Sequence, residues 1–121
     1  MNETESAILA GYPSGETNPQ SLASDFLRKG VKDAVIITLG GQGLVYATAS
    51  GASGHVAARQ VKVVDTTAAG DTFVGAYAVR RAEHLGGEFD HEEALRFATL
   101  AASKTVERSG AMAAIPYLNE L

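Results

Sequence analysis

The sequence predicts an α/β fold in which helices layer against a sheet that is incomplete. Three observations carry that prediction. A run rich in β-branched residues, Ala34-Val35-Ile36-Ile37, is bounded by turn signals. The elements read in the order helix, helix, strand, strand, strand, helix, helix. That order supplies few strands for a self-sufficient sheet.

The elements follow from local signals. Asn2 is placed to cap a short helix, with Glu5 at capping-box spacing and Gly11 as its stop. Gly11 to Gly15 reads as a turn-rich connector. Asn18-Pro19 opens a second helix, which carries Leu22, Ala23, Phe26 and Leu27 on one stripe and closes at Gly30. Val31 to Leu39 reads as a strand buried on both faces, as in a parallel sheet. Gly40 to Gly43 is a tight turn, and Leu44 to Thr48 is the next strand. A flexible tip at Gly51 to Gly54 precedes a third strand expected from Val56 to Val64. A helix is expected from about Asp71 to Leu85, apolar nearly all round and mostly buried, with Gly75 and Ala76 packed closely. Gly86-Gly87 ends it. Asp90 caps the last helix, with Glu93 at capping-box spacing, and Gly110 breaks it before an extended tail from Ala111 to Pro116. No repeat and no second domain boundary is visible.

Composition narrows the function. A chain of 121 residues has room for one domain, and 45% hydrophobic against 20% charged residues suits a protein with a core. Fourteen acidic against ten basic residues leave a net charge of −4, so no basic field exists for nucleic acid or an anionic membrane. The absence of cysteine excludes disulfides, thiolate metal sites and cysteine nucleophiles. No apolar run is long enough to span a bilayer, and the acidic start is unlike a targeting peptide. A cytoplasmic location is expected, a nuclear one being compatible.

Chemistry concentrates in Val64 to Ala76, VDTTAAGDTFVGA. Ala69-Gly70 lets a ligand approach the main chain closely. The amides there open a helix, where unpaired N–H groups and the macrodipole favour an anion. Asp71 sets a carboxylate beside them, an arrangement suited to phosphoryl transfer to a hydroxyl. On spacing alone a plain capped turn explains these residues equally well. No G-x-G-x-x-G or G-x-x-x-x-G-K-[ST] occurs. His55, His84 and His91 read as surface residues, Arg80-Arg81 as a solvated helix end, and Tyr46 and Phe97 as core.

DTTAAGDTFVGA resembles the second signature of the PfkB-type carbohydrate kinases. The likeness extends to Asn2-Glu3-Thr4-Glu5, to Ile37-Thr38-Leu39-Gly40-Gly41-Gln42-Gly43, and to Val106-Glu107-Arg108-Ser109-Gly110-Ala111 through Pro116. These four elements stand in family order along nearly the whole chain. The aspartate-containing signature is the specific one. The resemblance implies a three-layer α/β/α fold, of which residues 1–121 would be the C-terminal, nucleotide-binding part. It implies Asp71 as the base that activates a sugar hydroxyl, with Ala68, Ala69 and Gly70 as the anion hole. Asn2 and Glu5 would organise Mg²⁺ and its waters near the triphosphate, with Glu5 acting indirectly; a structural capping box is the alternative. Thr38, Gly40 and Gly43 would line ATP, although a glycine-rich hairpin explains the glycines equally simply. Thr99 stands near the adenine position, where the family often has His or Asn. Asp65, Thr67, Arg108 and Gly110 would cage a monovalent cation. Ala114 replaces a Ser ligand there and weakens the case for K⁺.

Within the family, DTTAAGD, the N-E-T-E start and the V-x-R-x-G-A tail are more similar to the ribose kinases than to the fructose or adenosine kinases. The implied reaction is ATP-dependent conversion of D-ribose to D-ribose 5-phosphate. The family's sugar-binding part and lid have no counterpart in the chain, so the chain alone is expected to be inactive and to be marginal or to associate. Two other readings stay open: a non-catalytic nucleotide- or phosphate-binding module, and an interaction protein whose sheet edge pairs with its own copy or with the missing half.

Overall fold

The computed structural model describes residues 1–12 and 18–121. They form two compact units, Met1–Ala58 and Arg59–Leu121, a division that no change in composition marks.

The first unit holds helices α1 (Glu3–Ala10) and α2 (Pro19–Arg28) and strands β1 (Ala34–Thr38), β2 (Leu44–Thr48) and β3 (Ser53–Val56). Both helices begin and end where their caps predict. Asn2 accepts the Glu5 amide, Gly11 closes α1 in the left-handed region at φ 78°, and Asn18 accepts the Gln20 and Ser21 amides. Pro13 to Gly15 of the expected connector lie outside the described residues.

The sheet, ordered β1-β2-β3, departs from the parallel arrangement expected for β1. Both pairings are antiparallel, with Val35 opposite Ala47, Ile37 opposite Val45 and Leu44 opposite Val56. The connector Leu39–Gly43 is too short for a crossover and can only return the chain antiparallel. Among the described residues the one parallel pairing is a bridge between Asn2 and Thr38. The strand buried throughout is β2, because it is central, whereas β1 alternates between buried and half-buried residues. Leu22 and Ala23 of α2 pack with Val35, Ile37, Val45 and Ala47, and Phe26 and Leu27 flank them. The third strand also differs from expectation. It starts at Ser53 and stops at Val56, opposite Leu44, where β2 has no further residue to pair.

In the second unit, α3 (Ala69–Glu83) packs against α4 (His91–Val106), followed by 3₁₀ turns at Met112–Ala114 and Leu118–Glu120 in place of an extended tail. Small residues allow the close approach: Ala94, Ala98 and Ala101 lie fully or almost fully buried along α4 beside Leu95, and Thr72 and Phe73 are buried on α3. Asp90 accepts the Glu93 amide at 3.0 Å. The expectation that α3 is mostly buried is overturned. Only Thr72 and Phe73 are buried, Gly75 is exposed, and Val74 and Val79 are 66% and 50% exposed. Within its unit α3 has one helical neighbour, which covers a single face.

Candidate functional site

The start of α3 is built by the loop before it. The Val106 carbonyl at the end of α4 accepts the amides of Val64 at 2.7 Å and Asp65 at 3.2 Å. The chain then reverses through Ala68, at φ 63° the only described non-glycine residue with positive φ. An L-residue there costs about 1–2 kcal/mol, so the turn is held by its surroundings. The Ala68 carbonyl accepts the Thr72 amide and the Thr72 hydroxyl, each at 2.9 Å. Asp71 sits in the first turn of α3 with an exposed side chain, and among the described residues its carboxylate has no hydrogen bond or ion pair.

The three residues of the expected anion hole are contiguous at this end, but they are not equivalent. The Ala69 amide donates to the Thr66 carbonyl at 3.3 Å, whereas the amides of Ala68, Gly70 and Asp71 have no partner among the described residues. An anion would therefore meet Gly70 and Asp71 rather than Ala69. Open amides at a helix start are groups that can receive an oxyanion.

Asp65, Thr67 and Gly110 also meet. Asp65 Oδ1 accepts the Thr67 amide at 2.9 Å and hydroxyl at 2.6 Å, and Oδ2 accepts the Gly110 amide at 3.1 Å. The Thr67 hydroxyl, then the Thr67 and Gly110 amides, hold the Asp65 carboxyl below the usual range. Both oxygens are thus satisfied by the protein. Arg108 turns its guanidinium to Glu120. That pairing raises Arg108 and, with the Tyr117 amide, lowers Glu120. Ala114 is fully buried and offers no side-chain oxygen. Asp65 thus already accepts three hydrogen bonds, and neither Arg108 nor Ala114 offers a side-chain oxygen to a monovalent cation.

In the first unit, Asn2 and Glu5 form the complete capping box. Asn2 Oδ1 accepts the Glu5 amide and Glu5 Oε2 accepts the Asn2 amide, both at 2.8 Å. Among the described residues no group of three or more His, Asp or Glu side chains is placed to hold a metal ion. Thr38 ends β1, with its amide bonded to the Met1 carbonyl at 3.0 Å. Gly40 and Gly43 have φ of 57° and 91°. A Cβ on Gly43 would fall on the Val56 carbonyl and lie 2.7 Å from the Ala58 amide nitrogen, so chain packing by itself requires glycine there.

Other expected residues are placed differently. Thr99 donates to the Leu95 carbonyl at 2.8 Å, turning its hydroxyl into its own helix rather than outward toward a base. His55 and His84 are exposed, but His91 is half-buried, bonds the Tyr77 hydroxyl at 2.9 Å and meets Phe89 edge-on. Arg80 lies 3.9 Å over the Phe97 ring and Arg81 lies 4.5 Å over Phe89, so this helix end is packed on aromatic faces rather than solvated. Two further residues of the site went unread in the sequence, Thr72 and Thr105. Their hydroxyls meet at 3.0 Å behind the α3 turn, and no spacing signals a contact across 33 positions.

The arrangement pairs an exposed carboxylate with open amides, a set of groups suited to phosphoryl transfer. A profile of the pfkB family carbohydrate kinases matches residues 1–118. The ribokinase of Schizosaccharomyces pombe is 45% identical over 99% of this chain and 37% of its own length. That of Staphylococcus aureus is 44% identical over 99% and 38%. Among solved structures, Thermotoga maritima ribokinase superposes with a TM-score of 0.81 at 38% identity, covering 98% of this chain and 38% of that one. Arabidopsis thaliana ribokinase, complexed with ribose and ATP, gives 0.80 at 39% identity over 95% and 36%. The chain thus spans 37% to 38% of the length of these curated relatives. No helix of the described residues is long and apolar enough to cross a membrane. With signature, fold and exposed aspartate in agreement, the chain belongs to the PfkB family of carbohydrate kinases as a homologue of ribokinases.

Proposed function

We propose that this chain supplies the catalytic base and the phosphate-binding turn for ATP-dependent phosphorylation of D-ribose to D-ribose 5-phosphate. The observation that carries the reading is the exposed, unpartnered Asp71 carboxylate beside the open Gly70 and Asp71 amides, on a chain of this family. Asp71 takes the proton of the sugar's primary hydroxyl as its oxygen attacks the γ-phosphorus. The bond to the β-phosphate oxygen breaks, ADP leaves, and Asp71 releases its proton to water. The two amides face the charge that builds on the transferred group. Mg²⁺, when bound to the triphosphate, would supply further neutralisation of that charge. Asn2 and Glu5, whose side chains close the capping box, would act on it through its waters. The sugar would be positioned by a part of the kinase that the chain does not span, and without positioning most of the rate is lost.

The test measures ribose-dependent ADP release by the chain, alone and combined with the remaining portion of the S. pombe ribokinase, with fructose and adenosine as competing acceptors. Turnover of ribose by the combination, lost in Asp71→Asn, supports the reading. The open amides at the start of α3 also suit one second reading, a phosphate-binding module without catalysis. ATP–Mg²⁺ that raises the melting temperature while no combination turns over any sugar would establish that alternative.

A further inference from the structure

We infer that Thr72 and Thr105 are positioning residues for the Asp71 turn: a buried hydroxyl pair through which α4 holds the strained Ala68 in place. The inference rests on the function proposed above for what it says about phosphate binding, but its geometry stands independently. Ala68 is the single described non-glycine residue in the left-handed region, and it lies three residues before Asp71. Its carbonyl takes two bonds from Thr72, one from the amide and one from the hydroxyl. With its proton committed to Ala68, the Thr72 oxygen has lone pairs left, and Thr105 Oγ1 meets it at 3.0 Å.

The single Thr105 proton has two acceptors within reach, and the nearer is Thr72 Oγ1. The Ala101 carbonyl lies within reach at 3.2 Å, just as Thr99 on the same helix is satisfied by Leu95. Thr105 is nonetheless completely buried against α3. The neighbouring residue, Val106, accepts the amides of Val64 and Asp65. Consecutive residues of α4 therefore grip the loop at both ends, Val106 at Val64–Asp65 and Thr105, through Thr72, at Ala68. The loop from Val64 to Ala68 is thus tied to α4 at both ends, and the Gly70 and Asp71 amides follow directly on the second tie.

Thr105→Val removes the hydroxyl at nearly constant shape, and Thr105→Ser restores it. We expect Thr105→Val to shift the backbone amide resonances of Ala69, Gly70 and Asp71. It should also speed hydrogen exchange of the Thr72 amide and weaken ATP–Mg²⁺ binding, each by about fivefold, as for loss of one buried hydrogen bond. Thr105→Ser should behave as the parent does. A Thr105→Val chain that melts earlier but keeps its 69–71 resonances and its Thr72 exchange rate overturns the inference, as does a Thr105→Ser chain indistinguishable from Thr105→Val. Should Thr105→Val fail to fold, Thr72→Val against Thr72→Ser reads the same contact from the other side. A parent chain that binds no ATP–Mg²⁺ counts against the proposed function, while the resonances and exchange rates still decide the role of the two threonines.

Discussion

The Asp65 carboxylate and the Gly110 amide meet at 3.1 Å, joining two turns that lie 45 positions apart in the chain. The other oxygen of the same carboxylate is held by Thr67. One charged group thus links the loop before α3 to the turn after α4.

This linkage has a pH signature. Thr67 and Gly110 lower the folded-state pKa of Asp65, so its contribution is fully present above the unfolded carboxylate value, near 4. It is lost as pH falls through the lower, folded value. Glu120, lowered by Arg108, acts in the same direction. Melting temperature should therefore fall on acidification below about pH 4. Asp65→Asn should flatten that fall while lowering stability at neutral pH. Melting curves from pH 2 to 7 for parent and variant test it, and curves of equal slope would remove Asp65 from the linkage.

Asp71→Asn separates chemistry from folding. The side chain is exposed and unpartnered, so its replacement should change stability by no more than about 0.5 kcal/mol. Turnover by the combined kinase should drop by about 10²–10⁴-fold, as for loss of a general base. Calorimetry and an ADP-release assay on one preparation check both halves.

Gly43→Ala and Gly41→Ala form a contrast. A Cβ at Gly43 meets the Val56 carbonyl and the Ala58 amide, at a φ of 91°, whereas at Gly41 it meets nothing within 4 Å. The first substitution should destabilise by about 3 kcal/mol or more, the second by no more than about 0.5 kcal/mol. Urea denaturation followed by circular dichroism distinguishes them.

Asn2→Ala should cost about 1 kcal/mol by loss of the cap on α1. The loss should appear in buffer free of Mg²⁺ and nucleotide, and Asn2→Ser should recover most of it. If thermal melts showed the loss only in the presence of Mg²⁺, Asn2 would be acting on the metal rather than on the helix.

Ala68→Gly should raise stability, by up to about 1 kcal/mol. Glycine adopts φ 63° without a Cβ penalty, though it loses more backbone entropy on folding. A lowered melting temperature would show that Ala68 is not strained.

What could be read in advance was local. The caps at Asn2, Asn18 and Asp90, the stop at Gly11 and the β-branched run of β1 depend on neighbours within a few positions, where side-chain chemistry acts without help from the fold. The signature around Asp71 was legible for the same reason, since a loop of small residues followed by a helix start is itself a short-range pattern.

Tertiary structure decided the rest. The antiparallel direction of β1 and the early end of β3 depend on which strand lies alongside, and the exposure of α3 depends on its having one helical neighbour. Which anion-hole amide is used up, and by which carbonyl, follows from the path of the loop through Ala68. The sequence by itself determined the capped starts of α1, α2 and α4, and through its resemblance to a family it singled out Asp71. Only packing determined that Asp65 is committed to Gly110 and that Thr105 reaches Thr72. Contacts between distant residues arise from the free energy of the assembled core, which no window of neighbouring residues contains.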